Sequence, residues 1–570
     1  MDARPHERGR QVRAGLLTGV VALAALAAAG PAGARPTGRL LVLLDHPVDG
    51  RARTAAVQAL AARAGALPAG RGAPRIGLVT VRPAPGRSAA AVAGALRVQP
   101  GVRSVQAEGR MALRVVPNDT ALSRPETAPG TPPGTPMQWA PTRTGLFGAW
   151  DLSRGAGALV GVIDTGLDAS HPDFSGKLAA AVDQDDDPSA GPATVDENGH
   201  GSHVASLACA ATGNGVGIAG AGFDCRLVME KTDLTDSSIA RSIVDATDHG
   251  ALAINMSFGD RGSRPPVAAI DAAIDYAVAH QVVLVAAARD ERTDSFGQPV
   301  PDQGQPANLL QPDGTGPSLD TGRGLSVTSS TIDDRPSGAG AGSEISLAAP
   351  GSMFDFNSTS GPPGLLGVAP AGHAELLDGS LPLLSNTCGC RTAVDGATYA
   401  YLQGTSMAAP QVAAIAALVR GLNPDLTALE VVRLLKQTAR RAPGAGWSPD
   451  LGWGIVDAGG ALTAAAGIDR RPPTSRLRAP ARTRARSVLL RWTAHDSAPP
   501  GVRVSGVAYV EVWRALDRGR ARRIARTRRS SLRVRVAPPH RYSFFTVAVD
   551  RAGNREAPPA RPDAVTRARR

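Results

Sequence analysis

From Ala149 to about Ala466, short runs of consecutive apolar residues alternate with Ala-rich stretches of helical length. Leu159-Val160-Gly161-Val162-Ile163 and Val282-Val283-Leu284-Val285-Ala286-Ala287-Ala288 offer no polar face, so strands built from them must be covered on both sides. Buried strands alternating with helices imply crossover connections. The expected fold is therefore an α/β domain over 149–466, with a largely parallel sheet flanked by helices. Two stretches inside it, Glu291–Gly324 and Met353–Ala397, read as loop-like insertions.

Smaller units flank this domain. Within 35–116, apolar strands at Arg39–Leu44, Ile76–Val81 and Val105–Ala112 alternate with helical stretches at Ala55–Ala66 and Ser88–Arg97, which predicts a small α+β module. Residues 117–148 form a linker and the start of the mature chain; the Pro-, Thr- and Gly-rich part, about Pro117 to Pro136, is where a processing cut would fall. Over 473–560, Ser487–Trp492, Val507–Arg514, Ser531–Val536 and Tyr542–Val549 alternate apolar and polar residues, which predicts a β-sandwich.

The first 34 residues read as a signal peptide: Arg8, Arg10 and Arg13, then the apolar run Ala14–Gly30, then a small-residue cleavage site at Ala32-Gly33-Ala34. A secreted, extracellular product with no membrane span in its mature form is expected. Four cysteines fit an oxidising compartment; Cys209 and Cys225 flank a Gly-rich loop and could close it, whereas Cys388-Gly389-Cys390 is tight for a bridge. The net charge of +12 comes with only three lysines, Lys177, Lys231 and Lys436. The arginine excess falls mainly after residue 470, scattered along strands, which argues against a specific nucleic-acid partner and leaves cell-wall contact through the basic C-terminal module.

Three segments carry chemistry. The strand ending Ile163-Asp164-Thr165-Gly166 puts an acid at the carboxyl end of a buried strand, where functional groups emerge in such sheets. Asn198-Gly199-His200-Gly201-Ser202-His203 puts a histidine between glycines at a helix start, and Gly404-Thr405-Ser406-Met407-Ala408-Ala409-Pro410 puts a serine at the start of an apolar helix. A serine hydroxyl needs an imidazole to take its proton, and the imidazole needs a buried carboxylate to fix its tautomer. A helix start adds backbone N–H groups toward an oxyanion. His203, one turn on, is the alternative base, but the glycines on each side favour His200.

This order of Asp, His and Ser is that of subtilisin, and the chain resembles the subtilase family over roughly Trp150–Ala466. Further matches are His171-Pro172-Asp173-Phe174, Ile254-Asn255-Met256-Ser257-Phe258-Gly259, Ala348-Ala349-Pro350-Gly351 and Gly452-Trp453-Gly454-Ile455-Val456-Asp457-Ala458. The resemblance implies a subtilisin-like parallel sheet and a serine endopeptidase with no catalytic cofactor. Asp164 would orient His200, His200 would act as base and then acid, and Ser406 would form the acyl-enzyme. Polypeptide substrates would lie beside Ser257, Phe258, Gly259 and Ala287. The N-terminal module is similar to a subtilase pro-segment, an intramolecular inhibitor. The C-terminal module, closing on Asp550-Arg551-Ala552-Gly553-Asn554, is similar to fibronectin type III-like units. Gln138, Asp173 and the loop Gly213-Asn214-Gly215-Val216-Gly217-Ile218 resemble the family's tight calcium loop, implying structural Ca2+. The residues alone read equally as a Gly-rich turn stapled by Cys209 and Cys225.

One position departs. After the strand 282–288 the family continues Gly-Asn, the Asn amide donating to the oxyanion, whereas this chain has Arg289-Asp290. Loss of such a donor, measured on subtilisin itself, costs on the order of a hundred- to a thousandfold in turnover. A slow enzyme is expected, favoured toward acid pH if a protonated Asp290 donates; equally, the insertion that follows could shift the loop so that another donor serves. The alternative is a degenerate subtilase acting as a surface binding or scaffold protein.

Overall fold

A computed structural model describes residues 35–47, 51–70, 72–110, 116–127, 130–187, 191–260, 264–290, 303–356, 364–372, 390–498, 502–517 and 519–570. The signal segment expected at 1–34 and Cys388 lie outside the described residues. The chain divides into two units, Met1–Leu113 and Arg114–Arg570.

In the first unit an antiparallel sheet runs in the order Ala66–Pro68, Leu78–Pro83, Arg35–Leu44, Val102–Arg110, accompanied by helices Arg51–Arg63 and Ala89–Arg97. Alternate residues of the strands, among them Leu40, Val42, Val79 and Val81, meet Val92 and Leu96 of the second helix in one apolar core. The Ser88 hydroxyl accepts the Ala91 N–H and starts that helix. The short strand Ala66–Pro68 was not foreseen; the chain leaves its helix earlier than the Ala-rich composition suggests.

The second unit is built on a parallel sheet of seven strands: β1 (Leu159–Asp164), β2 (Leu178–Asp183), β3 (Arg226–Lys231), β4 (Ala253–Met256), β5 (Val283–Ala287), β6 (Leu325–Ser330) and β7 (Leu347–Pro350), in the order β7-β6-β5-β4-β1-β3-β2. The strands alternate their side chains between two cores, so Val160 and Val162 of β1 join one and Ile163 the other. The first core contains α1 (His200–Cys209) and α2 (Thr405–Leu422); the second contains helices Asp236–Asp248 and Ala268–Ala279. The chain crosses β1 in passing from β3 to β4, so the carboxyl end of β1, Asp164, lies at the sheet's switch point. Among the described residues α2 alone has the length and hydropathy to cross a bilayer, and it is the buried central helix of this fold.

The stretch 353–397 is not wholly a loop. Leu365–Val368, Cys390–Val394 and Ala397–Leu402 form an antiparallel sheet with the last strand central. Val394 pairs with Ala397 across Asp395-Gly396, both with positive φ (53° and 83°), a turn whose twist suits a tight hairpin. After residue 470 two sheets face each other, one of three strands and one of five, with Leu477, Val488, Leu490, Val512 and Phe544 between them.

Cys209 at the end of α1 is bonded to Cys225 just before β3. The bridge closes a loop with a sequence separation of 16, and a closure of that length stabilises by about 3 kcal/mol. Replacing both cysteines by alanine is expected to lower Tm in calorimetry by a corresponding amount. An unchanged Tm would mean that the loop is held by its other contacts.

Candidate active site

Asp164 and His200 are brought together by the end of β1 and the start of α1. The Asp164 side chain is only 2% exposed, and its Oδ1 accepts the Thr165 N–H (2.9 Å) and the His200 Nδ1–H (2.7 Å). A residue that sequence reading missed sets this approach. Asp196 is buried, its Oδ1 accepts from Gly199 N–H (2.8 Å) and Thr165 Oγ1 (2.9 Å), and its Oδ2 accepts from Ser202 N–H (2.7 Å). Thr165 Oγ1 in turn accepts the Gly201 N–H at 3.0 Å. The only sequence signal for this was an acid shortly before a helix start. A Cβ on Gly201 would fall 2.2 Å from the Gly166 carbonyl oxygen, so the close approach of α1 to β1 requires glycine there.

Burial disfavours the charged form of His200. The Asp164 carboxylate outweighs burial by its charge and hydrogen bond, Asp196 and Asp290 add to it, and the pKa is held above the ordinary value. His203 is fully buried, its Nε2 lies against the Leu365 and Ala400 carbonyls (3.0 and 3.2 Å), and burial pushes its pKa down to about 3. A neutral ring bonded to the small antiparallel sheet is a strut, which leaves His200 as the available base.

Ser406 is half-buried in the first turn of α2, which packs against α1 and β1. Its hydroxyl donates to the Ser257 carbonyl (3.0 Å), the Ser257 hydroxyl donates to the Ser406 carbonyl (2.9 Å), and Asn255 Nδ2 donates to Ser257 Oγ (2.9 Å). This reciprocal pair ties the end of β4 to the start of α2. In this arrangement the Ser406 hydroxyl makes no hydrogen bond to His200, so it would have to turn from the Ser257 carbonyl to give its proton to the imidazole. Beyond β4, Phe258 is half-buried and Gly259 exposed, whereas Ala287 is buried in the β5–β6 ladder, paired with Val327.

Asp290 stands at the amino end of α2. Its Oδ1 accepts the Thr405 N–H at 2.8 Å, and its Oδ2 is 2.9 Å from where a Cβ on Gly404 would lie. Gly404 has φ of 141°, which allows the chain to enter the helix beneath that carboxylate. An oxygen that accepts a helix N-terminal N–H suits a carboxylate.

The Subtilase family profile matches residues 155–454, more than half of the chain. The chain belongs to the subtilase family. It is 32% identical over 327 residues to fervidolysin of Fervidobacterium pennivorans, covering 55% of this chain and 42% of that protein. It is 30% identical over 414 residues to an extracellular protease of Xanthomonas campestris pv. campestris, covering 65% of this chain and 60% of the relative. The chain thus spans roughly half the length of these relatives. Among solved structures, a protease of Pseudoalteromonas arctica is 26% identical, with a TM-score of 0.46, covering 61% of this chain and 99% of that one.

Subtilases commonly hold structural calcium, and the residues expected to bind it here are brought together, but their donors are turned on one another. Gln138 Oε1 accepts the Ala219 N–H (2.8 Å) while its Nε2 donates to the Ala219 carbonyl (2.7 Å). Asp173 Oδ1 accepts from Asn214 Nδ2 (3.0 Å), and its Oδ2 accepts from Ile218 N–H (3.1 Å) and the Tyr399 hydroxyl (2.9 Å). A Cβ on Gly217 would lie 1.7 Å from that hydroxyl, so Tyr399 fills the mouth of the loop. Gln138, Asp173 and Asn214 therefore do not fit a cation: neutral donors satisfy the carboxylate. Burial pushes the Asp173 pKa up to about 6, with the hydrogen bonds from Asn214, Ile218 and Tyr399 opposing the rise. Tyr399→Phe leaves a buried carboxylate oxygen short of a donor and is expected to cost about 1–3 kcal/mol. Thermal unfolding should show a lower Tm that added calcium does not restore; restoration would mean that the loop takes a cation once the hydroxyl is gone.

Proposed function

We propose that the chain is a secreted serine endopeptidase that hydrolyses polypeptides through an acyl-enzyme on Ser406. The hydrogen bond between the buried Asp164 carboxylate and His200 Nδ1, at 2.7 Å, is the observation that carries this reading. With Nδ1–H given to Asp164, His200 Nε2 is the basic nitrogen. It takes the Ser406 proton as Oγ attacks the substrate carbonyl carbon. It then gives that proton to the leaving amine as the C–N bond breaks. Water, deprotonated by the same nitrogen, attacks the ester and releases the acid, returning the proton to Ser406. The Ser406 N–H, which has no hydrogen-bond partner among the described residues, faces the developing oxyanion at the start of α2. Substrate would pair along Ser257, Phe258 and Gly259 as an added strand.

In this reading 1–34 exports the chain, the module within 35–116 inhibits the enzyme until it is cut away, and the basic sandwich contacts acidic cell-wall material. Asp290 supports a second reading, a degenerate subtilase kept as a surface scaffold, because a carboxylate bonded to the Thr405 N–H at the start of α2 would repel an oxyanion forming there. The intact mass of the secreted protein separates the two. The wild type should lose about its first hundred residues while Ser406→Ala keeps the α+β module. If both retain it, the scaffold reading stands.

Because the His200 pKa is raised and catalysis needs the neutral ring, activity should fall on the acid side above the pH at which an ordinary histidine titrates. Asp290→Asn removes one of the charges that raise it and supplies an amide donor. Its kcat is expected to rise by on the order of tenfold or more, and the acid limb of kcat/KM to move to lower pH. An unchanged kcat and limb would show that Asp290 faces neither the oxyanion nor His200.

A further inference from the structure

Three carboxylates from distant segments meet where the catalytic domain joins the sandwich. Asp469 lies between the helix Ala458–Gly467 and the first sandwich strand, Asp496 follows the strand Ser487–His495, and Asp550 ends the strand Arg541–Asp550. They are 5%, 8% and 2% exposed, and one oxygen of each lies within 4.8 Å of the others. Among the described residues none of them forms an ion pair with a lysine, arginine or histidine. Arg551 follows directly in the chain, but its guanidinium lies toward Gly506 and pairs with none of the three.

What they have instead are neutral donors. Asp469 accepts from the Arg471 N–H (3.2 Å, Oδ1) and the Ser505 N–H (2.6 Å, Oδ2). Asp496 Oδ2 accepts from the Gly506 N–H (2.6 Å) and the Ser505 hydroxyl (3.3 Å). Asp550 accepts from the Asn554 N–H (2.8 Å, Oδ1) and Nδ2 (2.8 Å, Oδ2). These bonds orient the carboxylates without cancelling their charge. Asp496 Oδ1 has no hydrogen-bond partner among the described residues, although the residue is more than nine-tenths buried. A buried anionic oxygen without a donor, beside two further carboxylates, is costly unless a cation compensates it.

We propose that Asp469, Asp496 and Asp550 bind one calcium ion that fastens the sandwich to the catalytic domain. All the donors are hard oxygens, the type calcium takes. Two oxygens on a shared calcium can be no farther apart than twice the metal–oxygen distance, about 4.8 Å, and the cluster meets that limit. The same residues already hold the junction: Asn554 Nδ2 donates to the Asp469 carbonyl (2.9 Å), and the Arg503 N–H donates to the Ala466 carbonyl (2.7 Å). Filling the site would turn mutual repulsion between two domains into a shared attachment. The inference does not depend on the proposed catalysis.

The test uses the full chain carrying Ser406→Ala, freed of metal by chelation and titrated with calcium in a calorimeter. One saturable site is expected, with a Tm that rises on calcium addition and slower tryptic cutting after Arg470. Asp496→Asn should weaken binding by on the order of tenfold or more and abolish the calcium-dependent rise, yet melt no lower than the parent in chelator, since it removes a repelling charge. A merely structural Asp496 would lower Tm equally with and without calcium, which would overturn the proposal. Calcium binding that survives Asp496→Asn, or a parent indifferent to calcium, would overturn it as well, and magnesium acting equally well would overturn the choice of calcium. If Asp496→Asn does not fold, Asp550→Asn is read by the same outcomes.

Discussion

The hydrogen bond from His200 to Asp164 joins the two halves of the site, and much of the second unit serves to make it. A carboxylate this buried is costly unless something compensates it. It is tolerated because β1 ends at the sheet's switch point, where the Thr165 N–H and the imidazole both reach Oδ1. The imidazole reaches it only because α1 begins almost in contact with the turn after β1. Gly201 permits that contact, and Asp196 with Thr165 pins it through the backbone N–H groups of Gly199, Gly201 and Ser202. Moving any of these would change the angle of the ring before it changed the stability of the sheet.

The parts of this arrangement that could be read from sequence are those whose cause is local. An apolar run ending in Asp164, and glycines around His200 and before Ser406, are short-range signatures of a buried strand and of close helix starts. The seven-stranded parallel sheet follows from the same runs. What escaped notice depends on distance in the chain. Tyr399 meets Asp173 across a separation of 226 residues, so a loop with the look of a cation site could not be seen to be filled by a hydroxyl. The hairpin at Asp395-Gly396 carried a readable turn, but the Gly-, Pro- and Ser-rich stretch before it drew the whole segment toward a loop assignment. Asp550 was legible within Asp550-Arg551-Ala552-Gly553-Asn554, yet its significance comes from Asp469 and Asp496, which only the folded chain brings beside it.

Both helices that present the reacting groups have a carboxylate at their amino ends, Asp196 on α1 and Asp290 on α2. The helix dipole favours such placements, so each is stabilising where it stands. Their consequences for chemistry are opposite. The tetrahedral intermediate pairs an imidazolium with an oxyanion. Asp164, Asp196 and Asp290 all favour the imidazolium, as the raised His200 pKa reflects. In the proposed reaction the oxyanion would form at the start of α2, where Asp290 accepts the Thr405 N–H, so the carboxylate would compete for the field and the N–H groups that would otherwise serve the substrate. In the proposed reaction such a chain would pair a base strengthened by three carboxylates with an oxyanion hole weakened by one of them.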